Sequence, residues 1–296
     1  MILVTGGTGF VGPRIVHALR AADRPVRALV RNPASREAQQ LHTWGAELVV
    51  GDVTRPEDVR AAVDGVDTVV HLVAILTGKP KDFERVMSAA TRDLVLAAQS
   101  AGVRRLVLMS ALGTSEQTKD LVPYYNAKWA MEQVAKGSSL EHVIFRPSFV
   151  FGEDGGALQT FKRLARLSPV TPIVGSGEQR IQPIWVDDVA AYFEAAIDKP
   201  EAAGRTFELG GPDIVTWNEL WELLKKTLGV RRPSVHVPAR LMRAQAALLE
   251  RLPNPPVTRD QLTMLEAGDN VVSNDDAVRA FGLPLVPLAD QLRRAA

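Results

Sequence analysis

Short apolar runs, rich in β-branched residues, recur along the first half of the chain and alternate with segments of helical periodicity. Six such runs are predicted strands, at residues 2–5, 26–30, 47–51, 67–74, 105–110 and 142–146. Predicted helices lie between them, at residues 12–22, 56–63, 83–101 and 124–136. Strands that are apolar on both faces and alternate with helices are typical of a parallel sheet covered on both sides. The pattern therefore predicts an α/β fold with a doubly wound parallel sheet.

The rhythm changes after about residue 146, where glycine and proline become frequent. A helix is predicted near residues 189–198 and one more strand within residues 205–211, and the chain from residue 216 onward is mostly helical in pattern. We therefore predict two domains that form a cleft. The predicted ranges are 1–147, with 181–211 returning to it, for the first domain, and 148–180 with 212–296 for a smaller, mostly helical C-terminal domain.

Composition narrows the classes of function. The formal net charge is +1 over 296 residues, so no overall field attracts the chain to nucleic acid. The chain has no cysteine, and its five histidines lack metal-ligand spacing, so we expect neither thiolate chemistry nor a metal site. No segment reaches the ~18 apolar residues of a spanning helix, and the first strand leaves no room for a signal peptide. We expect a cytoplasmic protein.

The first predicted strand leads directly into the sequence TGGTGFVG, residues 5–12, and then into a helix. In this context glycines allow a tight turn, close approach of the backbone to a pyrophosphate, and close packing of helix on strand. The alternative is a glycine-rich turn without a ligand. We predict a dinucleotide-binding loop. Its contact residues are expected to be Gly6, Thr8, Gly9, Phe10, Val11 and Gly12.

The residue that follows the second strand bears on which dinucleotide is bound. NAD sites usually carry an acidic residue there, which accepts from the ribose hydroxyls. This chain has Arg31, whose guanidinium can bind a 2′-phosphate, so NADP is the expected cofactor in preference to NAD. The alternative for Arg31 is a solvated surface side chain. Further cofactor contacts are expected where the third and fourth strands end, at Asp52, Val53, Leu72, Val73 and Ala74.

A candidate catalytic group follows the fifth strand. Ser110 ends that strand, and Tyr124 and Lys128 are spaced to share one face of a helix. A lysine ammonium near a phenol is expected to lower the pKa of Tyr124, which then serves as general acid or base. Ser110 would hold a substrate oxygen, and Lys128 would also reach the nicotinamide ribose. Tyr125 is the competing tyrosine, although packing is the simpler role for it.

These motifs together resemble the short-chain dehydrogenase/reductase superfamily. The stretches RPSFVFG and IQPIWVDDVA resemble its extended and atypical branches, and most of all the group that contains the nucleotide-binding accessory subunit of respiratory complex I and its bacterial relatives. The resemblance implies a Rossmann domain with a C-terminal substrate domain, and Pro147 and Ser148 near the nicotinamide. Where many members have an asparagine, this chain has Met87, which cannot supply the same hydrogen bonds.

Two functions are compatible with these features. One is an NADP-dependent oxidoreductase, or an epimerase that borrows a hydride, acting on a carbonyl or alcohol of an unidentified small molecule. The other is a non-catalytic assembly or stability factor that holds a nucleotide without turnover. A redox sensor is a third, unsupported option. Residues 240–252 mix basic and apolar side chains, which fits a helix at a membrane surface or partner protein, or a cleft wall.

Overall fold

Seven parallel strands form the central sheet of the first of the two units into which the chain divides. The computed structural model describes residues 1–250 and 257–296. The strands of this sheet are β1 (Ile2–Thr5), β2 (Val26–Val30), β3 (Glu47–Val50), β4 (Thr68–His71), β5 (Arg105–Met109), β6 (Glu141–Pro147) and, later in the chain, β11 (Arg205–Leu209). Their spatial order is β11-β6-β5-β4-β1-β2-β3, and every neighbouring pair is parallel. This confirms the predicted doubly wound α/β fold, of the Rossmann type.

The helices of the first unit pack in two groups. They are α1 (Gly12–Ala21), α2 (Arg36–Thr43), α3 (Pro56–Ala62), α4 (Pro80–Phe83), α5 (Ala90–Ser100), α6 (Pro123–Lys136), α8 (Val186–Ala195) and α12 (Asp275–Phe281). Helix α1 packs on α2 and α8, whereas α5 packs on α3 and α6. Right-handed crossovers between parallel strands place two such groups on opposite faces of a sheet. Strands β1, β4 and β5 are almost entirely buried, which explains their continuous apolar runs.

The segment before α5 differs from the single helix predicted over residues 83–101. It begins with α4, continues as a π-helix over Glu84–Ala89 and becomes α-helical only at Ala90. A π segment widens the helix by one residue per turn and is frequent at functional sites. Met87 lies in this segment and is fully buried.

The first unit comprises Met1–Pro147, Val186–Leu209 and Asn274–Leu283. The sequence analysis assigned residues 274–283 to the C-terminal domain instead, and residues 181–185 and 210–211, which belong to the second unit, to the first. The place of residues 274–283 in the first unit follows from Phe281 of α12, whose ring lies 5.7 Å from that of Phe145 and 5.2 Å from that of Phe207. The apolar ring of Phe281 thereby joins the aromatic core beside β6 and β11.

The second unit comprises Ser148–Trp185, Gly210–Ser273 and Pro284–Ala296. Its described strands are β7 (Val150–Phe151), β8 (Thr171–Val174), β9 (Arg180–Ile181), β10 (Ile184–Trp185), β12 (Val215–Thr216) and β13 (Ser234–Val237), and its described helices are α7 (Gly156–Leu167), α9 (Trp217–Leu228), α10 (Ala239–Leu249), α11 (Arg259–Glu266) and α13 (Leu288–Ala295). The strands pair two by two, as β10-β7, β12-β9 and β13-β8.

The mixed basic and apolar segment predicted over residues 240–252 corresponds to α10, and its last two residues lie outside the described part of the chain. Leu241 and Leu248 of α10 are 60% and 64% exposed. Among the helices described here, α10 included, none combines the length and apolarity that crossing a membrane requires. Within residues 1–250 and 257–296, no three His, Asp or Glu side chains are grouped so that they could hold a metal ion.

Candidate functional site

The glycine loop after β1 is shaped by contacts that only glycine permits. Gly6 has a positive φ of 78°, and its amide oxygen accepts a hydrogen bond from the Gly9 amide at 3.1 Å. A Cβ on Gly12 would lie 2.5 Å from the Gly6 oxygen, and one on Gly6 would lie 3.0 Å from the Val73 amide nitrogen. The turn therefore packs its backbone against both the start of α1 and the end of β4, as a pyrophosphate loop requires.

The helix that follows this loop has an open N-terminus. Val11 is the N-cap residue of α1 and provides no side-chain cap, and no acidic residue lies in the first turn. Amide groups and the positive end of the helix dipole therefore point out of the loop, which is an arrangement suited to a phosphate. Thr8 and Phe10 are half-buried in the loop, and Gly9 is exposed. These features fit the pyrophosphate of a dinucleotide.

Arg31 and Asp52 follow neighbouring strands β2 and β3 and interact electrostatically. Arg31 is exposed directly after β2. Partial burial alone would raise the pKa of Asp52, but hydrogen bonds from Thr54 and the charges of Arg31 and Arg55 lower it overall. The Asp52 carboxylate accepts from the Thr54 amide at 2.9 Å and from its hydroxyl at 2.8 Å. Asp52 is therefore an ionised acceptor, partly committed to its own turn.

Other predicted cofactor residues lie in or beside the strands of the first unit. Val53 and Leu72 are buried, Val73 is half-buried and Ala74 is exposed. Arg14, in the first turn of α1, has its guanidinium 3.7 Å from the Asp187 carboxylate, which offsets its charge.

Pro147 and Ser148 fall at the boundary between the two units. Pro147 ends β6, and its carbonyl accepts from the Leu112 amide at 3.0 Å within the first unit. Ser148 opens the second unit, is buried, and donates its hydroxyl to the Gln182 carbonyl. The hydroxyl of Ser148 is thus already committed as a donor within its own unit.

Tyr124 and Lys128 share one face of α6, as their spacing predicted. The Lys128 ammonium lies 5.8 Å from the centre of the Tyr124 ring and donates to the Met109 carbonyl at 2.7 Å. Lys128 is only 1% exposed, and this burial lowers its pKa to about 7, although nearby Glu132 opposes the shift. A lysine with this pKa can accept or release a proton at neutral pH.

The pKa of Tyr124 moves in the direction opposite to the one predicted. Burial raises it, with a smaller contribution from Tyr125 in the same direction. The predicted lowering relied on a full positive charge on Lys128, but burial reduces that charge at neutral pH. Tyr124 is therefore a protonated phenol, able to donate but not to act as a phenolate base.

Ser110 has a partner that the sequence did not predict. Its hydroxyl donates to the Glu132 carboxylate at 2.6 Å, and Ser110 and Glu132 are 2% and 0% exposed. Arg146 donates to both oxygens of the same carboxylate, at 2.8 and 2.7 Å. Burial alone would raise the pKa of Glu132, but the hydrogen bonds from Arg146 and Ser110 lower it overall. The Ser110 proton is committed to this pair, so only its oxygen lone pairs remain for a substrate.

His71 is the second group that sequence reasoning missed. It ends β4 next to the predicted Leu72, is fully buried, and hydrogen bonds through both ring nitrogens to Thr5 and Thr91. Burial, and to a smaller extent the charge of Lys128, lower its pKa to about 3, so the ring is neutral. A histidine at a strand end beside a glycine loop was the available signal. For Glu132 the signal was its position four residues after Lys128.

Comparison with known proteins agrees with this geometry. A family model described as NAD(P)H-binding matches residues 6–200, about two thirds of the chain. The chain is 28% identical to the mitochondrial NADH dehydrogenase [ubiquinone] 1 alpha subcomplex subunit 9 of Arabidopsis thaliana, over 96% of this chain and 73% of that protein. It is 26% identical to the 2-alkyl-3-oxoalkanoate reductase of Stenotrophomonas maltophilia, over 99% of this chain and 97% of that protein.

The fold also matches solved structures. The crystal structure of gox2253 superimposes with a TM-score of 0.81 at 26% sequence identity, over 100% of this chain and 96% of that one. The resemblance predicted from the sequence, to proteins that include the complex I subunit, is thereby confirmed. Relatives of this chain thus include both a reductase and a subunit of a respiratory assembly.

Proposed function

Because the chain belongs to the NAD(P)H-binding family, we propose that it is an NADPH-dependent reductase of a small-molecule carbonyl, with Tyr124 as the proton donor. The observation that carries the proposal is the buried Lys128, whose pKa of about 7 accompanies Tyr124 on one helix face. Burying an ionisable amine is unfavourable, and such perturbed groups concentrate at functional sites. A site that only binds a nucleotide has no need of it.

The protonation state of Tyr124 supports reduction rather than oxidation. When bound, the dinucleotide supplies a hydride to the carbonyl carbon of the substrate. Tyr124 then donates its phenolic proton to the carbonyl oxygen, which becomes the alcohol hydroxyl. Burial keeps that proton on Tyr124 before the reaction, because it raises the pKa of the phenol. Reduction begins from this phenol and leaves a phenolate that must be reprotonated, whereas oxidation would have to begin from the phenolate, which burial disfavours.

Lys128 has two roles in this proposal. Its ammonium returns a proton to Tyr124 after each turnover, which a group of pKa about 7 does readily at neutral pH. Its hydrogen bond to the Met109 carbonyl fixes the amine at the end of β5. Ser110 accepts rather than donates in this arrangement, because its proton is held by Glu132. Ser110 therefore positions neighbouring groups and does not polarise the carbonyl.

We assign NADPH rather than NADH on the charge of Arg31. A guanidinium binds a 2′-phosphate through charge-assisted hydrogen bonds but cannot accept from ribose hydroxyls. The loop fits the shared pyrophosphate of both dinucleotides, so Arg31 is the residue on which the preference rests. The proposed location is cytoplasmic. The substrate is an unidentified small molecule, and α10 is the segment through which a membrane surface or partner would be contacted.

Two observations favour a second function, a non-catalytic nucleotide-binding assembly factor. The Ser110 proton is committed to Glu132. Met87 occupies the place where many members of the superfamily that this chain resembles have a hydrogen-bonding asparagine. Both changes remove donors from a proton relay. The similarity to the complex I subunit of Arabidopsis thaliana supports this second function. In it, the dinucleotide would stabilise the fold without being oxidised.

The two functions differ in turnover, which can be measured directly. Purified protein and NADPH would be mixed with one carbonyl compound at a time: menadione, p-nitrobenzaldehyde or ethyl acetoacetate. Oxidation of NADPH would be followed by its absorbance. We expect substrate-dependent oxidation that is lost in Tyr124→Phe and Lys128→Met. Tyr125→Phe is the matched control and should retain it. If no substrate is turned over, and bound nucleotide is neither exchanged nor oxidised, the assembly-factor function is supported instead.

A further inference from the structure

A continuous chain of buried hydrogen bonds runs from the glycine loop to the π-helix. The Thr5 hydroxyl lies 2.6 Å from His71 Nδ1, and His71 Nε2 lies 2.9 Å from the Thr91 hydroxyl. The Thr91 hydroxyl in turn lies 2.6 Å from the Met87 carbonyl oxygen. All four residues are at most 1% exposed. Water does not compete with these bonds, so the positions of the four residues depend on one another.

The direction of each bond follows from its acceptor. A carbonyl oxygen only accepts, so the Thr91 hydroxyl donates to Met87. The Thr91 oxygen is then free to accept from Nε2–H of His71. A neutral imidazole has one N–H, and His71 is neutral because burial depresses its pKa, so Nδ1 accepts from the Thr5 hydroxyl. Every donor in this series of hydrogen bonds, from Thr5 to Met87, has an acceptor.

The two ends of this chain are parts of the candidate site. Thr5 is the last residue of β1 and immediately precedes Gly6, and its carbonyl also accepts from the Leu72 amide at 3.0 Å. At the other end, Met87 lies in the π-helix Glu84–Ala89. The neighbouring Ser88 hydroxyl is buried and has no hydrogen-bond partner in the described chain. The π turn thus contains an unused donor, of a kind that is rare in protein interiors, and π turns are frequent at functional sites.

We propose that His71 is a positioning residue that couples the glycine loop to the π turn, so that dinucleotide binding at Gly6–Gly12 rigidifies residues 84–91. The proposal rests on the proposed dinucleotide binding. A phosphate on the loop fixes Thr5, Thr5 fixes the His71 ring, and the ring fixes Thr91 and Met87. By linkage, the factor by which nucleotide binding favours the ordered turn equals the factor by which the ordered turn favours nucleotide binding. A change that loosens the turn must therefore weaken nucleotide binding. If these hydrogen bonds were purely structural, removing one of them would lower the stability of the protein without changing its affinity for the nucleotide.

The test uses Thr91→Val, which removes the hydroxyl while keeping the branched shape. Thr91→Ser restores the hydroxyl, and Thr68→Val is the matched control, since Thr68 is a buried threonine on β4 whose hydroxyl donates to Asp67 instead. NADPH affinity is measured by fluorescence, and amide hydrogen exchange is measured with and without NADPH. We expect Thr91→Val to raise the NADPH Kd about tenfold. It should also abolish NADPH-induced protection of residues 84–91, whereas Thr91→Ser and Thr68→Val behave as wild type.

Wild-type protein provides a second measurement in case Thr91→Val does not fold. Nitrogen NMR of His71 should show the Nε2–H tautomer, and its signals should shift when NADPH binds. Unchanged His71 signals on saturation, or unchanged affinity and protection in Thr91→Val, would overturn the coupling while leaving nucleotide binding intact. If wild-type protein binds neither NADPH nor NADH, the proposed function itself is wrong and the coupling fails with it.

Discussion

The hydroxyl of Ser110 donates a 2.6 Å hydrogen bond to the buried carboxylate of Glu132. That carboxylate also accepts two bonds from Arg146, so one acid joins the end of β5, helix α6 and the end of β6. The same helix carries Lys128 one turn before Glu132 and Tyr124 two turns before it. Glu132 therefore anchors the helix that presents the candidate catalytic pair.

Removing Glu132 should be strongly destabilising. Glu132→Ala leaves Arg146 and Ser110 without their partner inside the protein, so we expect the free energy of unfolding to fall by ~3–5 kcal/mol. Glu208→Ala is the control, because Glu208 lies 3.8 Å from the same guanidinium but its side chain is 39% exposed. Its cost should stay below ~1 kcal/mol. Urea denaturation measures both, and equal costs would show that burial does not strengthen the Glu132 pair.

Exchanging Arg31 for aspartate should change the dinucleotide preference. Arg31→Asp removes charge-assisted bonds to a 2′-phosphate and adds an acceptor for ribose hydroxyls, so NADPH Kd should rise ~10–100-fold while NADH Kd stays similar or falls. Fluorescence titration with each dinucleotide measures this. Arg60→Asp, a charge reversal at another exposed arginine, on α3, should leave the ratio unchanged. Equal weakening of both dinucleotides in Arg31→Asp would rule out the NADP assignment.

A methyl group at residue 12 should block the pyrophosphate loop. In Gly12→Ala the new Cβ would lie 2.5 Å from the Gly6 oxygen, so the loop must move away from the helix N-terminus. We expect the NADPH Kd to rise at least ~10-fold, or ~1.4 kcal/mol. Gly65→Ala is the control, because it adds a methyl group in open space at a positive φ and should affect stability alone. Calorimetric titration distinguishes the two; unimpaired binding by Gly12→Ala would contradict a close-packed loop.

Much of this fold is local in origin, and the sequence predicted it for that reason. The six early strands and the glycine loop follow from apolar runs and from glycine spacing, which act over a few residues. The helical spacing of Tyr124 and Lys128 placed them on one face for the same reason. Their site roles and Arg31's preference for NADP stay predictions until binding and turnover are measured.

Features set by distant residues were not predicted. The π segment interrupts a region whose periodicity indicated one helix, and Thr91, just after it, hydrogen bonds to His71, 20 positions earlier in the chain. The Ser110 partner comes from a residue 22 positions away. The predicted direction of the Tyr124 pKa shift was wrong, because burial depends on packing that no short motif encodes.

Acid should destabilise the protein through His71. Its pKa is about 3 in the folded state and 6.5 as the ordinary value, so between these pH values the unfolded chain binds a proton that the folded chain does not. Stability is then fully present above pH 6.5 and is lost on acidification by ~1.4 kcal/mol per pH unit. His71→Gln should lack this component. Urea denaturation from pH 6.5 to 4.5 tests it, and parallel slopes for the two proteins would contradict a buried neutral ring.

The free energy of unfolding should also depend on pH above neutrality, through Lys128. Its pKa is about 7 when folded and 10.5 as the ordinary value, so between those values the unfolded chain again holds the extra proton. Stability should therefore rise with pH across this window, by ~1.4 kcal/mol per unit, and should be lost again as the pH falls towards 7. Comparing wild type with Lys128→Met from pH 7 to 9.5 isolates this slope from the other lysines. Lys136→Met, an exposed lysine on the same helix, should keep the wild-type slope. If Lys128→Met keeps it as well, burial does not lower the pKa of Lys128, and the observation that carries the proposed function is lost.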